Sequence, residues 1–408
     1  MKSRLALLWW LLLAGLWPAA RSAAQPLPAG DKLSISVVTF GRGDRVHQYF
    51  GHNAIVVAGA GVTRPTVFNY GMFTFGDGMV RQFLTGRLQF WVGASDLERT
   101  SAAYAAANRD VRLLELNLTP VQRRVILDKV MHDARPENRV YLYDHYFDNC
   151  STRVRDVLDL ALGGQLKRAF DKPAPFTLRD ETRRYTQHDL LTEWTMMLAL
   201  NGSVDRPQKQ WGDAFLPLEL EAMLKRMSVT DEHGELVPLV ASDHTVFSAR
   251  RAAVPEQPPR RWPQALALGL VIALGLGALG LAARSGRGPW RVLLLTLTAL
   301  YGVLGGVLGS LLAYLAMFSD HLVAHYNVNL LLVNPLGLLG GLSALAALSR
   351  ARWAGRLLRG TWAALAVAAI ALVVIKVLPL GVAQDVSLTA TLLVPLQVGL
   401  WWALSGVP

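Results

Sequence analysis

Cys150 is the only cysteine among 408 residues. A lone cysteine forms no intramolecular disulfide, so it is either a buried filler or a working thiol. Its setting favours the second: Asp148-Asn149 precede it, and an amphipathic helix starts at it. Helix N-termini and nearby cations favour the thiolate, the nucleophilic form of the group. A thiol nucleophile needs a base, normally histidine, and often a third group to hold the imidazole. Of the nine histidines, His52 stands at the mouth of an apolar strand in Phe50-Gly51-His52-Asn53-Ala54-Ile55-Val56-Val57, with Gly51 leaving space beside it. His145, five residues before the cysteine, is the competing base. Asn69, on the following strand, is placed to accept the imidazole's second N–H, and Tyr70 is its rival. The amide N–H of Cys150 and the side chain of Asn149 are candidate donors to an oxyanion.

These residues need a strand and a helix to hold them. Leu33 to Phe40 alternates apolar and polar residues and reads as a strand, as do Ala54 to Val57 and Thr66 to Tyr70. Thr119-Pro120-Val121-Gln122 reads as a capped helix start, with Val121, Val125, Leu127, Val130 and Met131 as its apolar face. A second helix runs from Cys150 to Gly163-Gly164, with Val154, Val157, Leu158 and Ala161 on one side. A strand-borne histidine facing a helix-borne cysteine is the geometry of papain-like thiol enzymes. Histidine before cysteine makes the arrangement a permuted one. The fold class expected is therefore α+β over residues 25–262. The stretch from Met72 to Val92, rich in Phe and Gly, is either core with turns or a loop whose apolar face suits acyl chains. Asn149-Cys150-Ser151 also matches a glycosylation sequon, taken as chance.

Residues 264–408 contain eight Lys and Arg, two Asp and no Glu, which is membrane composition. Five apolar runs, near 264–283, 290–317, 329–348, 361–379 and 387–406, approach or exceed the length that crosses a bilayer core of ~30 Å. They make residues 263–408 an all-α transmembrane bundle. Arginines crowd the 284–291 and 350–359 loops and are missing from the 318–328 and 380–386 loops. The positive-inside rule then puts residues 25–262 on the outer side. Independently, Met1-Lys2-Ser3-Arg4 followed by an apolar run reads as a signal peptide or signal anchor over 1–24. The net charge of +11 is scattered rather than gathered in one patch, which argues against a nucleic-acid partner and for anionic lipid. No metal-ligand set is visible, and no cofactor is expected. The outer loop from Phe318 to Asn329 carries His321, His325, Asn327 and Asn329. Polar groups at a bilayer edge are either functional or simply solvated.

At these residues the chain resembles the Lnb-type lipoprotein N-acyltransferases and their N-terminal periplasmic domain. The resemblance rests on Phe50-Gly51-His52-Asn53-Ala54, Phe68-Asn69-Tyr70-Gly71-Met72-Phe73, Phe83-Leu84-Thr85-Gly86-Arg87-Leu88 and Tyr141 to Arg155. In the membrane half it rests on Asn327-Val328-Asn329-Leu330-Leu331 with Asn334-Pro335. It implies a permuted papain-like fold related to NlpC-type peptidases, with Cys150 and His52 as the catalytic pair. It further implies a multi-pass protein of the bacterial inner membrane with a periplasmic N-terminal domain. The implied reaction moves an acyl chain to the N-terminal amine of a diacylglyceryl-modified lipoprotein. Its donor would be a phospholipid or the lipoprotein's own glyceryl sn-2 ester. Two other readings fit the same residues: a cell-wall amidase or lipid thioesterase, and a non-enzymatic membrane assembly or sensor protein.

Overall fold

Alternation in the first strand sets the two faces of the main sheet. In β1 (Leu33–Phe40), Ile35 and Val37 point to one side, Val38 and Phe40 to the other, as a period of two requires. β2 (His52–Gly59), β3 (Thr66–Met72), β4 (Gln89–Asp96), β5 (Val111–Leu116), β6 (Val140–Leu142) and the later β9 (Val240–Phe247) complete it. The seven strands lie in the order β6-β4-β3-β2-β1-β5-β9, every neighbouring pair antiparallel. β7 (Ser228–Thr230) and β8 (Leu236–Pro238) form a separate hairpin. This computed structural model describes residues 32–59, 61–285, 288–349 and 351–406. The expected signal segment over 1–24 lies outside them.

Short α1 (Met79–Thr85) and α2 (Leu97–Ala106) flank β4. α3 (Pro120–Asp133) starts at the expected capping box: the Thr119 side chain accepts from Gln122 N–H, and Gln122 Oε1 accepts from Thr119 N–H. Its buried face differs from the expectation. Ile126, Leu127 and Val130 are buried, whereas Val121 and Met131 are exposed. At 100° per residue Val121 falls opposite Ile126 and Val130 on the wheel, so the apolar face is narrower than the sequence suggested. α4 (Cys150–Ala161) buries Val154, Val157 and Leu158 against β2, β3 and α3. α5 (Leu178–Thr186), α6 (Leu190–Ala199) and α7 (Pro217–Arg226) follow.

Among the described residues, five helices are long and apolar enough to cross a membrane. They are α8 (Trp262–Arg284), α9 (Gly288–Phe318), α10 (Leu336–Leu348), which a turn at Val328–Leu331 precedes in the same span, α11 (Arg352–Val377) and α12 (Ser387–Ser405). Two boundaries correct the sequence reading. The run over 329–348 is broken at Asn334-Pro335, because proline lacks the N–H that a continuous helix would use. The fourth helix begins at Arg352, so residues 352–359, expected in a loop, form its first turns. α9 and α10 approach so closely that a Cβ on Gly302, Gly306 or Gly309 would collide with backbone of residues 334–341. Such contact is how helices associate in lipid, where no hydrophobic force drives them together.

A polar seam joins the two halves. The Asn327 amide donates to the carbonyls of Leu198 and Ala199 (3.0 and 2.8 Å), and the Asn329 amide to Met197 and Leu198 (3.2 and 3.0 Å). These are the orphan carbonyls at the end of α6. Asn201 returns the contact by donating to the carbonyls of Leu322 and His325. On the other flank Thr85 O accepts from Asp320 N–H, and Arg87 pairs with Asp320 at 2.6 Å.

Candidate active site

Asn149 builds the start of α4. Its Oδ1 accepts from the N–H groups of Ser151 and Thr152 (2.8 and 2.9 Å), and its Nδ2 donates to the carbonyls of His145 and Phe215 (2.8 and 2.9 Å). All four side-chain bonding positions are therefore spent on the cap, on the turn that precedes it and on Phe215. The structure gives Asn149 this holding role and leaves its amide no spare donor. Ser151 then ties α4 to the sheet, donating to Asn53 Oδ1 (2.9 Å), while Asn53 Nδ2 donates to Thr39 Oγ1 (2.9 Å).

That chain brings Cys150 beside the end of β2, where His52 stands. A bulge interrupts the β3–β4 pairing between Asn69 and Met72. Within it Gly71 has φ +87°, and a Cβ there would lie 3.4 Å from the Cβ of Cys150. Glycine at this point both permits the positive φ and leaves room for the thiol.

His52 Nε2 lies 3.1 Å from Asn69 Oδ1. The direction of this hydrogen bond follows from its neighbours. Thr100 Oγ1 donates to the Asp96 carbonyl (2.7 Å), which only accepts. Ser95 Oγ, 2.8 Å from Thr100 Oγ1, must then donate to it and accept from Asn69 Nδ2 (3.0 Å). Asn69 is left with Oδ1 toward the imidazole, so His52 carries its proton on Nε2 and keeps the Nδ1 lone pair. Tyr70, the rival orienter, points to the opposite face and donates to Asp133 at 2.8 Å. Adjacent strand residues take opposite faces, so only one of the pair reaches His52.

Phe40 and Tyr104 lie nearly parallel to the imidazole, with centroids 5.9 and 6.2 Å away. Burial pushes the His52 pKa down to about 4, against the upward pull of its bond to Asn69; the charge of Arg109 lowers it further. Burial likewise raises the Cys150 thiol above its ordinary value. The N–H groups of Asn53, Ser151 and Cys150 and the Arg109 charge oppose that shift without reversing it. The helix start therefore does not make a resting thiolate; both groups rest neutral. His145 lines the same cavity, and burial also pushes it down to about 4. It is packed edge-on to Phe50 and Phe215, and its Nε2 has no hydrogen-bond partner. Among the described residues, no side chain orients it as Asn69 orients His52.

Cys150, His52 and His145 line one cavity of about 450 Å³, with Met72, Phe73, Phe75, Met79, Phe90 and Met196 among its apolar walls. Six residues of the stretch from Met72 to Val92 thus line this cavity: Met72, Phe73, Phe75, Met79, Leu88 and Phe90. Arg109 also lines it. This arginine is buried, donates to the Gly41 carbonyl at 2.7 Å and lies over the Tyr104 ring at 4.5 Å. No sequence pattern signalled it, because it reaches the site through a turn after α2. His321, His325, Asn327 and Asn329 do not line the cavity. His321 Nε2 bonds to the Phe83 carbonyl (2.6 Å) and His325 Nε2 to that of Ser319 (2.7 Å), while the two asparagines serve the seam.

Residues 28–184 match the family model described as the Lnb N-terminal periplasmic domain, and residues 267–401 match the Lnb transmembrane domain. No curated protein and no solved structure matches the chain.

Proposed function

We propose a function from the premise that this chain belongs to the Lnb-type proteins, both of whose domains it carries. It is a multi-pass inner-membrane protein with its N-terminal domain in the periplasm, and the family domains point to an enzyme that modifies lipoproteins. Our reading of the chemistry is N-acyl transfer through a thioester on Cys150, in a permuted papain-like domain.

In the first half-reaction His52 Nδ1 takes the Cys150 proton as the sulfur attacks the carbonyl carbon of a glycerolipid ester. The C–O bond breaks, and the alkoxide leaves with the proton from His52. In the second, the lipoprotein's N-terminal amine attacks the thioester carbon and gives a proton to His52. The C–S bond breaks, and the leaving thiolate takes that proton from His52 to restore the thiol. The backbone N–H of Cys150 supplies a donor for the oxyanion. Asn69 positions His52.

One observation carries this reading: an oriented, neutral histidine and the single thiol share a cavity with an aromatic and methionine wall beside the membrane mouth. Met79 lines that cavity, and six residues later on the same helix Thr85 rests on Asp320. That interval is about 9 Å of helix. Val80 and Phe83 of this helix are exposed, an apolar face suited to lipid. The test is to incubate the purified protein with diacylated lipopeptide and phospholipid, and to locate acyl groups by fragmentation mass spectrometry. A thioester on Cys150 and a new N-acyl amide, both lost in Cys150→Ala, are expected. Released fatty acid without amide, or cleaved peptidoglycan, would replace this reading with a hydrolase. Unchanged transfer by Cys150→Ala would end the mechanism.

A further inference from the structure

Arg109 is the charge at the site that the two half-reactions leave unused, and its own turn builds it in. α2 is followed by a left-handed Asn108 (φ +51°), a conformation asparagine tolerates better than most residues. The Arg109 N–H closes the turn on the Tyr104 carbonyl (3.1 Å), and Asn108 is tied on its other side to the backbone of Arg250. The side chain folds back over the Tyr104 ring. Its Nε donates to the Gly41 carbonyl, while the Gly41 N–H donates to the Asp110 carbonyl (2.9 Å). The guanidinium is thus fixed where β1 ends and β5 begins.

That bond uses one of its five N–H groups. The four on Nη1 and Nη2 have no hydrogen-bond partner among the described residues. Neither nitrogen is sealed off: each retains accessible surface, although the residue as a whole is only 5% exposed. The carboxylates nearest in the chain are engaged elsewhere, Asp110 with the Ala249 N–H and Asp44 with Arg251. Among the described residues that line the Cys150 cavity there is no Asp, Glu or Lys, so Arg109 is the one permanent charge there. A buried cation without a counter-ion is costly. A fork of two free NH2 groups matches two oxygens of one anion.

The chemistry at the thiol says where that anion sits on a substrate. The Arg109 Cζ stands 4.5 Å from the Tyr104 ring centre, and that ring 6.2 Å from the imidazole. In a phospholipid, phosphorus lies five bonds from the sn-2 ester carbon, about 6–7 Å when extended. With hydrogen bonds to the guanidinium at one end and an attack distance of about 3 Å at the other, such a molecule covers that interval. The glyceryl ester of a lipoprotein carries a thioether at the corresponding carbon, and no anion.

We propose that Arg109 binds the phosphodiester of a phospholipid and so selects phospholipid, over the lipoprotein's own glyceryl ester, as the acyl donor. The choice of donor rests on the proposed function; the phosphate binding does not.

The experiment uses the full chain in a nonionic detergent. The probes are dialkyl phosphatidylglycerol and dialkylglycerol, whose ether links give up no acyl chain. Cys150 is the single thiol, so its alkylation by N-ethylmaleimide reports whether the cavity is filled. Half-protection by the phospholipid is expected at a mole fraction at least about tenfold below that of the neutral lipid, the size of a charge-assisted hydrogen bond. Arg109→Gln should bring the two lipids within about twofold of each other. Arg109→Lys keeps the charge and loses the fork, and should hold an intermediate preference, which a merely structural arginine would not give. Equal protection of wild type by both lipids overturns the assignment, and that arm needs no variant to fold. A preference that survives in folded Arg109→Gln overturns it as well. Water-soluble glycerophosphoglycerol is the third probe: protection equal to that by the phospholipid would make the ligand a soluble phosphate and not a lipid. Donor choice is read separately, as Cys150 thioester formed from dipalmitoyl phosphatidylglycerol against dipalmitoylglycerol. Equal yields would overturn the selection. Selective protection with no thioester from either ester lipid would uphold the phosphate site and refute the proposed reaction, so the two failures are distinct.

Discussion

If His52 rests neutral and acts as a general base, acylation of Cys150 should survive acid that silences an ordinary histidine. The rate of the first step follows the fraction of unprotonated imidazole. With its pKa pushed down from 6.5 to about 4, His52 is about 90% neutral at pH 5, whereas a histidine at its ordinary value is about 3% neutral. The two cases differ by roughly thirtyfold at that pH. The alkaline side is set by Cys150, whose thiol is raised, so the profile should remain flat through pH 8. The assay is single-turnover thioester formation on Cys150, followed by intact-protein mass spectrometry from pH 4 to 9 in nanodiscs. Asn69→Ala supplies the control. Its hydrogen bond raises the His52 pKa, so its loss should move the acid limb lower still, while the plateau drops about 10- to 100-fold as the ring loses its orientation. A purely structural role for Asn69 would lower the plateau and leave the limb in place. A tenfold fall in the wild-type rate between pH 7 and pH 5 would refute the neutral pair. So would full-rate alkylation of Cys150 by iodoacetamide at pH 6, because that requires a resting thiolate.

Gly71→Ala forces a side chain into positive φ next to the thiol and should cost about 1–2 kcal/mol in thermal unfolding, with slower alkylation of Cys150. Asn149→Ala removes the cap of α4 and leaves the His145 and Phe215 carbonyls without their donor; a loss of about 1–3 kcal/mol in chemical denaturation is expected. Asn329→Ala should open the seam, seen as faster hydrogen exchange at the end of α6 with little change at β1. Acid should destabilise the periplasmic half: His52 and His145 are both depressed to about 4, so between pH 6.5 and 4 the unfolded chain binds more protons. Stability is then complete above pH 6.5 and falls toward pH 4, by at most roughly 3 kcal/mol per histidine, a trend that denaturant midpoints against pH will report.

The local signals in the sequence were strong where one residue fixes its own surroundings. The Thr119 capping box, the start of α4 at Cys150 and the alternation in β1 are of this kind, and all three stand in the structure. Choices that depend on tertiary register were not legible. Asn69 and Tyr70 are adjacent and each carries a hydrogen-bonding group; only the pairing of β3 with β2 and the bulge after Asn69 decide which one meets His52. The thiol's ionisation was misjudged for a related reason. A helix start is visible in sequence, whereas the burial that outweighs it comes from several separate segments. Arg109 had no signal for the same reason. The asparagines of the outer loop carried a genuine signal, since buried polar groups are costly unless bonded, but the signal does not distinguish a ligand site from a clamp on the carbonyls of α6.

That clamp bears on why the thiol domain is joined to so many helices. A domain on a single tether would sample many heights and tilts above the bilayer, and a long-chain ester would have to leave the membrane to find it. Here three separate contacts define a plane: Asn327, Asn329 and Asn201 around the end of α6, Arg183 on Asp385, and Thr85 with Arg87 on Asp320. Three points fix both height and tilt. Met79, in the wall of the Cys150 cavity, is then held about one short helix, roughly 9 Å along α1, from the Asp320 contact, with exposed Val80 and Phe83 on that helix. Fixing the geometry in advance lowers the entropy that substrate binding must supply. By this argument the five helices serve as a platform that sets the working distance between thiol and lipid.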